Sequence, residues 1–152
     1  MMTLKIDLSG VKSLKRKVET MRKTSVEVGF FPEDVYGPEN DNLPVAQVAW
    51  FQEKGAEDYP SRPFFSNTVD DKMVMLHLTR AFTTAAKAVL KDGRAIVVQL
   101  KRVGEVLKDE LEVAIDDYPG QNSLSWAAAK GFNDPLRHTS KMLNSVKVKI
   151  KK

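Results

Sequence analysis

The chain has 152 residues, of which 42% are hydrophobic and 29% are charged. A chain near this size buries roughly 70% of its unfolded surface, so we expect one folded domain spanning residues 1–152. The sequence contains no cysteine and only two histidines, which excludes disulfides and thiolate metal sites and argues against a histidine metal cluster. No apolar run approaches the ~18 residues that cross a bilayer, and no signal-peptide layout is present, so we expect a soluble protein that is intracellular when made.

The charge is unevenly distributed along the chain. The overall net charge is +4, but residues 1–23 carry +5, residues 24–71 carry −8, residues 72–119 carry +1 and residues 120–152 carry +6. Segregated charge steers subunits together, because opposite patches attract at long range. The alternative is a solvated surface that is simply unevenly charged.

The first third of the chain alternates strands and helices. Residues Thr3–Asp7 alternate apolar and polar side chains, which predicts a short strand. A helix with Ser9 as its N-cap should follow, because apolar residues recur at helical spacing at Val11, Leu14, Val18 and Met21. Residues Val26–Phe31 are rich in β-forming side chains and predict a strand that Pro32 ends.

Two loops and a helix come next. Residues 32–43 hold prolines, glycine and acidic or amide side chains, which predicts a loop. A helix is expected to begin at Pro44 and to stop at Gly55. Residues 55–65 form the second expected loop.

The middle of the chain predicts two long helices. Apolar residues give one broad face between Val69 and Val89, and Asp92-Gly93 breaks the pattern. A second apolar stripe runs from Ile96 to Ile115 and ends before Tyr118-Pro119-Gly120. Helices joined by so short a turn should pack antiparallel.

The C-terminal part predicts a final strand. Residues 121–134 form either a loop or a loop that holds a short helix, and Leu136–Asn144 suggest one or two helical turns. Residues Ser145–Lys152 alternate valine or isoleucine with lysine, as in a strand with one buried face that pairs with Val26–Phe31 or with Thr3–Asp7. The expected fold class is α+β, with a small, mostly antiparallel sheet packed against two long antiparallel helices and with extended loops.

The sequence offers no specific catalytic pattern. The acidic pairs Asp70-Asp71 and Asp116-Asp117 fit helix ends, where charge is solvated or favoured by the helix dipole. His77 is expected to be a half-buried helix residue, and His138 has no Gly-x-Ser-x-Gly elbow to suggest a hydrolase. We therefore expect no enzyme activity, no cofactor and no bound metal.

Lysine-rich ends raise a nucleic-acid alternative. Lysines alternate along the last strand, and a basic helix lies near the N-terminus, so both ends are able to contact phosphates. Aromatic residues are not interleaved with these lysines as stacking platforms. Lysines on a strand also discourage edge-to-edge aggregation, which is a purely structural role.

Residues 26–68 carry a recognisable order of motifs. The matching positions are Val28-Gly29, Val48-Ala49-Trp50, Glu53, Gly55, Pro60 and Arg62-Pro63-Phe64-Phe65. This layout resembles the neck and tail-completion proteins of tailed bacteriophages, which show a V-x-V-G strand, a helix ending in E-x-G and a P-x-RPF turn. The second half resembles the same family through Val103-Gly104-Glu105, Lys130–Met142 and Asn144-Ser145-Val146, with Ser140 where glycine is usual.

The resemblance implies a structural protein of the virion, in the neck or upper tail, that passes through the host cytoplasm during assembly. It implies a ring of identical subunits, six being favoured and twelve possible, that contacts head-completion or connector proteins and tail-terminator or tail-tube proteins. DNA would pass through the ring without sequence recognition, and no membrane is involved. A ring requires a heterologous interface that closes, and the acidic block 27–58 of one subunit against the basic ends of the next is one way to supply it.

Two readings of the motif residues remain open. In the first, Arg62 pairs within its own subunit, for example with Glu53, and both phenylalanines are core residues. In the second they lie at contacts between subunits, since arginine and aromatic residues are favoured interface anchors. The candidate interface residues are Trp50, Glu53, Arg62, Phe64, Phe65, Leu136, Lys147 and Lys149. We expect the loops 32–43, 55–65 and 119–134 to become ordered on assembly.

Overall fold

A computed structural model describes residues 9–55, 60–91, 95–131, 133–136 and 139–152. These residues form six α-helices and two β-strands: α1 (Ser9–Lys23), β1 (Ser25–Gly29), α2 (Val45–Lys54), α3 (Phe64–Asp70), α4 (Lys72–Leu90), α5 (Ile96–Asp116), α6 (Leu124–Lys130) and β2 (Lys147–Lys151). Short 3-10 turns span Pro38–Asn40 and Leu143–Ser145. The expected strand Thr3–Asp7, the expected break at Asp92-Gly93 and His138 lie outside the described residues.

The two strands form an antiparallel sheet, as the alternation of residues 145–152 predicts. Val26 pairs with Ile150 and Val28 pairs with Val148, so the apolar side chains of both strands share one face. That face lies on α5, and the strand lysines lie on the opposite face. Of the two possible partners for β2, the structure therefore shows Val26–Gly29.

The α+β class is confirmed, but the arrangement of two long helices under the sheet is only part of the architecture. The helices α4 and α5 are long and antiparallel, since His77 near the start of α4 hydrogen-bonds Glu110 near the end of α5 at 2.8 Å. The sheet, however, packs on α5, while α4 and α1 lie further from it. The core joins α2, α3, α5 and the C-terminal segment through eight buried side chains: Val45, Ala49, Phe64, Leu111, Ile115, Leu136, Met142 and Val146.

The expected helix over residues 69–89 is interrupted at Asp71. This residue has an extended ψ of 128°, and its carboxylate accepts hydrogen bonds from the amides of Met73 (2.7 Å) and Val74 (3.1 Å). Asp71 therefore acts as the N-cap of α4 and separates it from α3. None of the helices in the described ranges is both long enough and apolar enough to cross a membrane.

Candidate interface groove

The corner between α2 and α3 is fixed by the carboxylate of Glu53. It accepts hydrogen bonds from the amides of Phe65 (2.9 Å) and Ser66 (3.1 Å), and also from the Ser66 hydroxyl. A carboxylate at a helix N-terminus satisfies amides that have no partner inside the helix and complements the helix dipole. Glu53, at the end of α2, thus holds the start of α3 in place.

A close approach of two backbone segments explains the glycine that ends α2. Gly55 has a φ of 73°, and a Cβ atom there would lie 2.5 Å from the amide nitrogen of Ser61. The Ser61 hydroxyl in turn donates to the carbonyl of Glu53 at 2.6 Å. A side chain at position 55 is excluded both by its conformation and by this contact.

Arg62 is bound within its own subunit, although not by Glu53. Its amide donates to the carbonyl oxygen of Gln52 at 2.7 Å, and its Nη1 donates to Oε1 of Gln52 at 2.6 Å. The intrasubunit reading of Arg62 thus agrees with the structure, while the suggested partner does not. The arginine and the two prolines around it stiffen the turn into α3.

The two phenylalanines of the motif have different environments. Phe64 is only 2% exposed and packs edge-on against Phe30, with ring centroids 6.1 Å apart. Phe65 is half-buried and contacts the core from the outside. Phe64 is therefore a core residue, whereas Phe65 presents part of its ring to the surface.

An apolar groove of about 440 Å³ lies between β1, α2 and α3. Its walls include Trp50, Glu53 and Phe65 from the predicted interface set, together with Phe31 and Ala46. Trp50 is 57% exposed, so most of its ring is not used by the fold of the subunit. Phe31 and Ala46 were not anticipated as groove residues, because only the pairing of β1 with β2 and the α2–α3 corner bring them beside Trp50.

The remaining candidates lie elsewhere. Leu136 is 9% exposed and belongs to the core, so it has no surface to offer a partner. Lys147 and Lys149 lie on the outer face of β2. Lys147 binds Asp34 at 2.6 Å, and Lys149 pairs with Glu33 and lies 4.0 Å from the centre of the Phe31 ring.

These lysine pairs change the expected role of the charges. The hydrogen bond from Lys149 lowers the pKa of Glu33 below its ordinary value. A carboxylate with a lowered pKa stabilises the fold above its unfolded pKa, and this contribution is lost as the pH falls through the folded pKa.

Lys151, like Lys147 and Lys149, pairs with an acidic residue of the same subunit, Glu27, at 2.6 Å. The C-terminal basic strand therefore meets the acidic block inside one subunit, contrary to the expectation that it faces the next one.

The described residues contain no cluster of three or more histidine, aspartate or glutamate side chains suited to a metal ion. His77, expected to be half-buried, is exposed and paired with Glu110. Burial raises the pKa of Tyr36 and of Tyr118. Among the described residues, the apolar groove is the feature best suited to a function, and its shape fits the binding of another molecule.

Comparison with known proteins gives no relative: no family model, no curated protein and no solved structure matches this chain.

Proposed function

We propose that the chain is a structural subunit of a tailed-bacteriophage virion, in the neck or tail-completion position of the head–tail junction. It forms a ring that joins the tail to the head and through which DNA passes. Its partners are copies of itself, most favourably six, and the neighbouring connector and tail-terminator or tail-tube proteins. The virion is then its final location.

The observation that carries the proposal is where the motif residues lie. Val28-Gly29, Trp50, Glu53 and Phe64-Phe65 come from separate segments, yet they surround one groove. Glu53, Gly55 and Arg62 are used to build the α2–α3 corner, whereas the exposed Trp50 has no such use. A motif that builds a rigid corner and leaves an aromatic side chain exposed suits a contact with another subunit.

The position at which this sequence departs from the motif pattern also supports the resemblance. Ser140 stands where the family has glycine, and its φ is 55°. This is the left-handed region that glycine enters without steric cost and that other residues adopt less readily. The turn at residue 140 thus has the conformation that a glycine would serve.

Negative-stain imaging and native mass spectrometry of the purified full chain test the proposal. We expect closed rings whose mass is six times that of the chain, with twelve as the alternative. A Leu124→Ser variant serves as a control and should form the same rings, because Leu124 is 91% exposed and lies on α6, outside the residues that line the groove. A chain that stays monomeric at high concentration and beside its neck and tail partners would contradict the ring.

A DNA-binding role is the competing function, and one observation favours it. Lys12 and Lys15 are exposed on α1, and no residue in the described ranges pairs with them. A gel-shift series in increasing salt separates the two functions. Tight binding by the monomer that weakens steeply with salt would favour the DNA-binding role.

A further inference from the structure

The helix α1 presents its polar face to the rest of the subunit. The helix contacts α4, and Ser13, Lys17 and Thr20 line a shallow pocket together with Val89 of α4 and Ile96 of α5. The Lys17 ammonium donates to the carbonyl oxygen of Leu90 at 3.1 Å, at the end of α4. These contacts hold the helix by side chains that are mostly polar.

Three of the four residues in the apolar stripe of the same helix are exposed, and the fourth, Met21, is half-buried. Val11, Leu14 and Val18 are 63%, 48% and 42% exposed, and no residue of α1 is buried. A surface helix of a monomer normally turns its apolar stripe inwards. The orientation of α1 leaves the three aliphatic side chains partly in water, which is unfavourable unless another surface covers them.

The stripe has the geometry of a helix that binds in a groove. Val11, Leu14 and Val18 stand at positions i, i+3 and i+7, which is the spacing of anchors in that mode of recognition. At 1.5 Å per residue they span roughly 10 Å along the helix. The apolar groove of this chain offers Trp50 and Phe65 as partners for such anchors.

The charges around the two surfaces are complementary. Lys12 and Lys15 border the stripe, and no described residue pairs with them. On the groove side, the groups that bind Glu53 are backbone amides and a hydroxyl, which carry no formal charge. These groups leave the negative charge of Glu53 in place, so it attracts a basic helix.

We propose that α1 of one copy inserts its Val11–Leu14–Val18 stripe into the β1–α2–α3 groove of the next copy. The contact joins two different surfaces, so its repetition generates a closed ring when the rotation between copies closes. This inference rests on the proposed ring and specifies the interface that forms it. The contact also gives the basic N-terminal segment, rather than the C-terminal strand, the role of meeting the acidic block of a neighbour.

Disulfide trapping tests the contact, because the natural chain contains no cysteine. A Leu14→Cys variant labelled with ¹⁵N is mixed with an unlabelled Trp50→Cys variant under mild oxidation. Disulfides require Cα atoms about 4.4–6.8 Å apart, so with equal amounts of the two variants we expect mixed-mass dimers to exceed each homodimer by much more than the roughly twofold ratio of random pairing. The matched control replaces Trp50→Cys by Phe82→Cys, which lies on α4 and is 47% exposed.

A second variant separates the contact from the ring itself. Leu14→Glu alters an exposed side chain, so the melting temperature should stay unchanged while association weakens about tenfold or more per interface. Rings that persist in Leu14→Glu, without a disulfide between positions 14 and 50, would overturn the α1 contact and leave the ring proposal standing. A chain that forms neither rings nor the disulfide would overturn both. Binding to anionic vesicles that Leu14→Glu abolishes, with no disulfide, would assign α1 to a lipid surface instead.

Discussion

A single glycine sets the distance between the sheet and α5. A Cβ atom at Gly104 would lie 2.4 Å from Cγ1 of Val148 and 2.7 Å from Cγ2 of Val26. Glycine inside a helix costs about 1 kcal/mol relative to alanine, so its presence here requires a compensating contact. The compensating contact is the one between the α5 backbone and the apolar face of both strands. It is possible only because position 104 has no side chain.

Gly104→Ala should therefore destabilise the protein. Overpacking costs typically 1–3 kcal/mol, and the gain in helix propensity offsets about 1 kcal/mol of it, so we expect a net loss of about 1 kcal/mol in the free energy of unfolding. Urea denaturation measures the change. Gly10→Ala in α1 is the control, since no atom lies within 4 Å of the added Cβ, and it should leave stability equal or slightly higher. A Gly104→Ala variant at least as stable as Gly10→Ala would contradict this account of the sheet contact.

At the scale of elements, Asp71 decides that residues 64–90 form two helices. Its carboxylate accepts from the amides of Met73 and Val74, and its backbone is extended. The preceding residue, Asp70, ends α3 and is not the residue that caps α4. Two adjacent aspartates with the same charge thus have different effects on helix stability.

Asp71→Ala should lower the free energy of unfolding by about 1 kcal/mol, which is typical for the loss of an N-cap. Asp70→Ala is the matched control and should change stability by less than about 0.5 kcal/mol. Thermal unfolding followed by circular dichroism compares the two variants. Equal effects of both substitutions would mean that net charge, and not capping, is responsible.

Some elements were predictable because local pattern and tertiary contact agree. The alternation of Val146, Val148 and Ile150 predicts a strand, and the structure pairs it with Val26 and Val28. The stripe along α5 likewise becomes core at Leu111 and Ile115. In both cases the apolar face is also the face that meets the rest of the subunit.

Other features were not predictable from the sequence. The periodicity of α1 identifies an apolar stripe but does not tell which face meets the subunit, and here Ser13 and Lys17 face inwards while Leu14 faces outwards. The break at Asp71 is hidden because apolar spacing continues across it. The partners of Lys147 and Lys149 depend on the fold, since Asp34 and Glu33 are more than a hundred residues away along the chain.

At the scale of the whole molecule, the basic residues of the C-terminal strand are paired with acidic residues of the same subunit. Lys147, Lys149 and Lys151 each bind a carboxylate of residues 27–34. This arrangement also ties the loop 32–43 to the sheet, in addition to the bridge between Val35 and Pro44. Lys12 and Lys15 of α1 lie outside these pairs and stay exposed.

The loop 32–43 provides a test of how much order depends on assembly. In the single chain, the Tyr36 amide donates to Leu43 at 2.9 Å and the Val45 amide donates to Asp34 at 2.8 Å. These hydrogen bonds revise the expectation from the sequence that the loop becomes ordered on assembly. We expect both amides to be protected from hydrogen exchange in the free subunit, and the amides around Trp50 to gain protection in the ring. Unprotected Tyr36 and Val45 amides in the free chain would show instead that the loop becomes ordered only on assembly.

The pairing of β1 with β2 also governs when the sheet forms during synthesis on the ribosome. Gly29 pairs with Lys147, so every helix from α2 to α6 is translated before β1 meets its partner strand. Until then the valines of the nascent β1 lack their partners on β2, and contacts of such long sequence separation form slowly. A chain that stalls in translation before residue 147 would carry an unpaired β1, and the sheet would be missing from the truncated product.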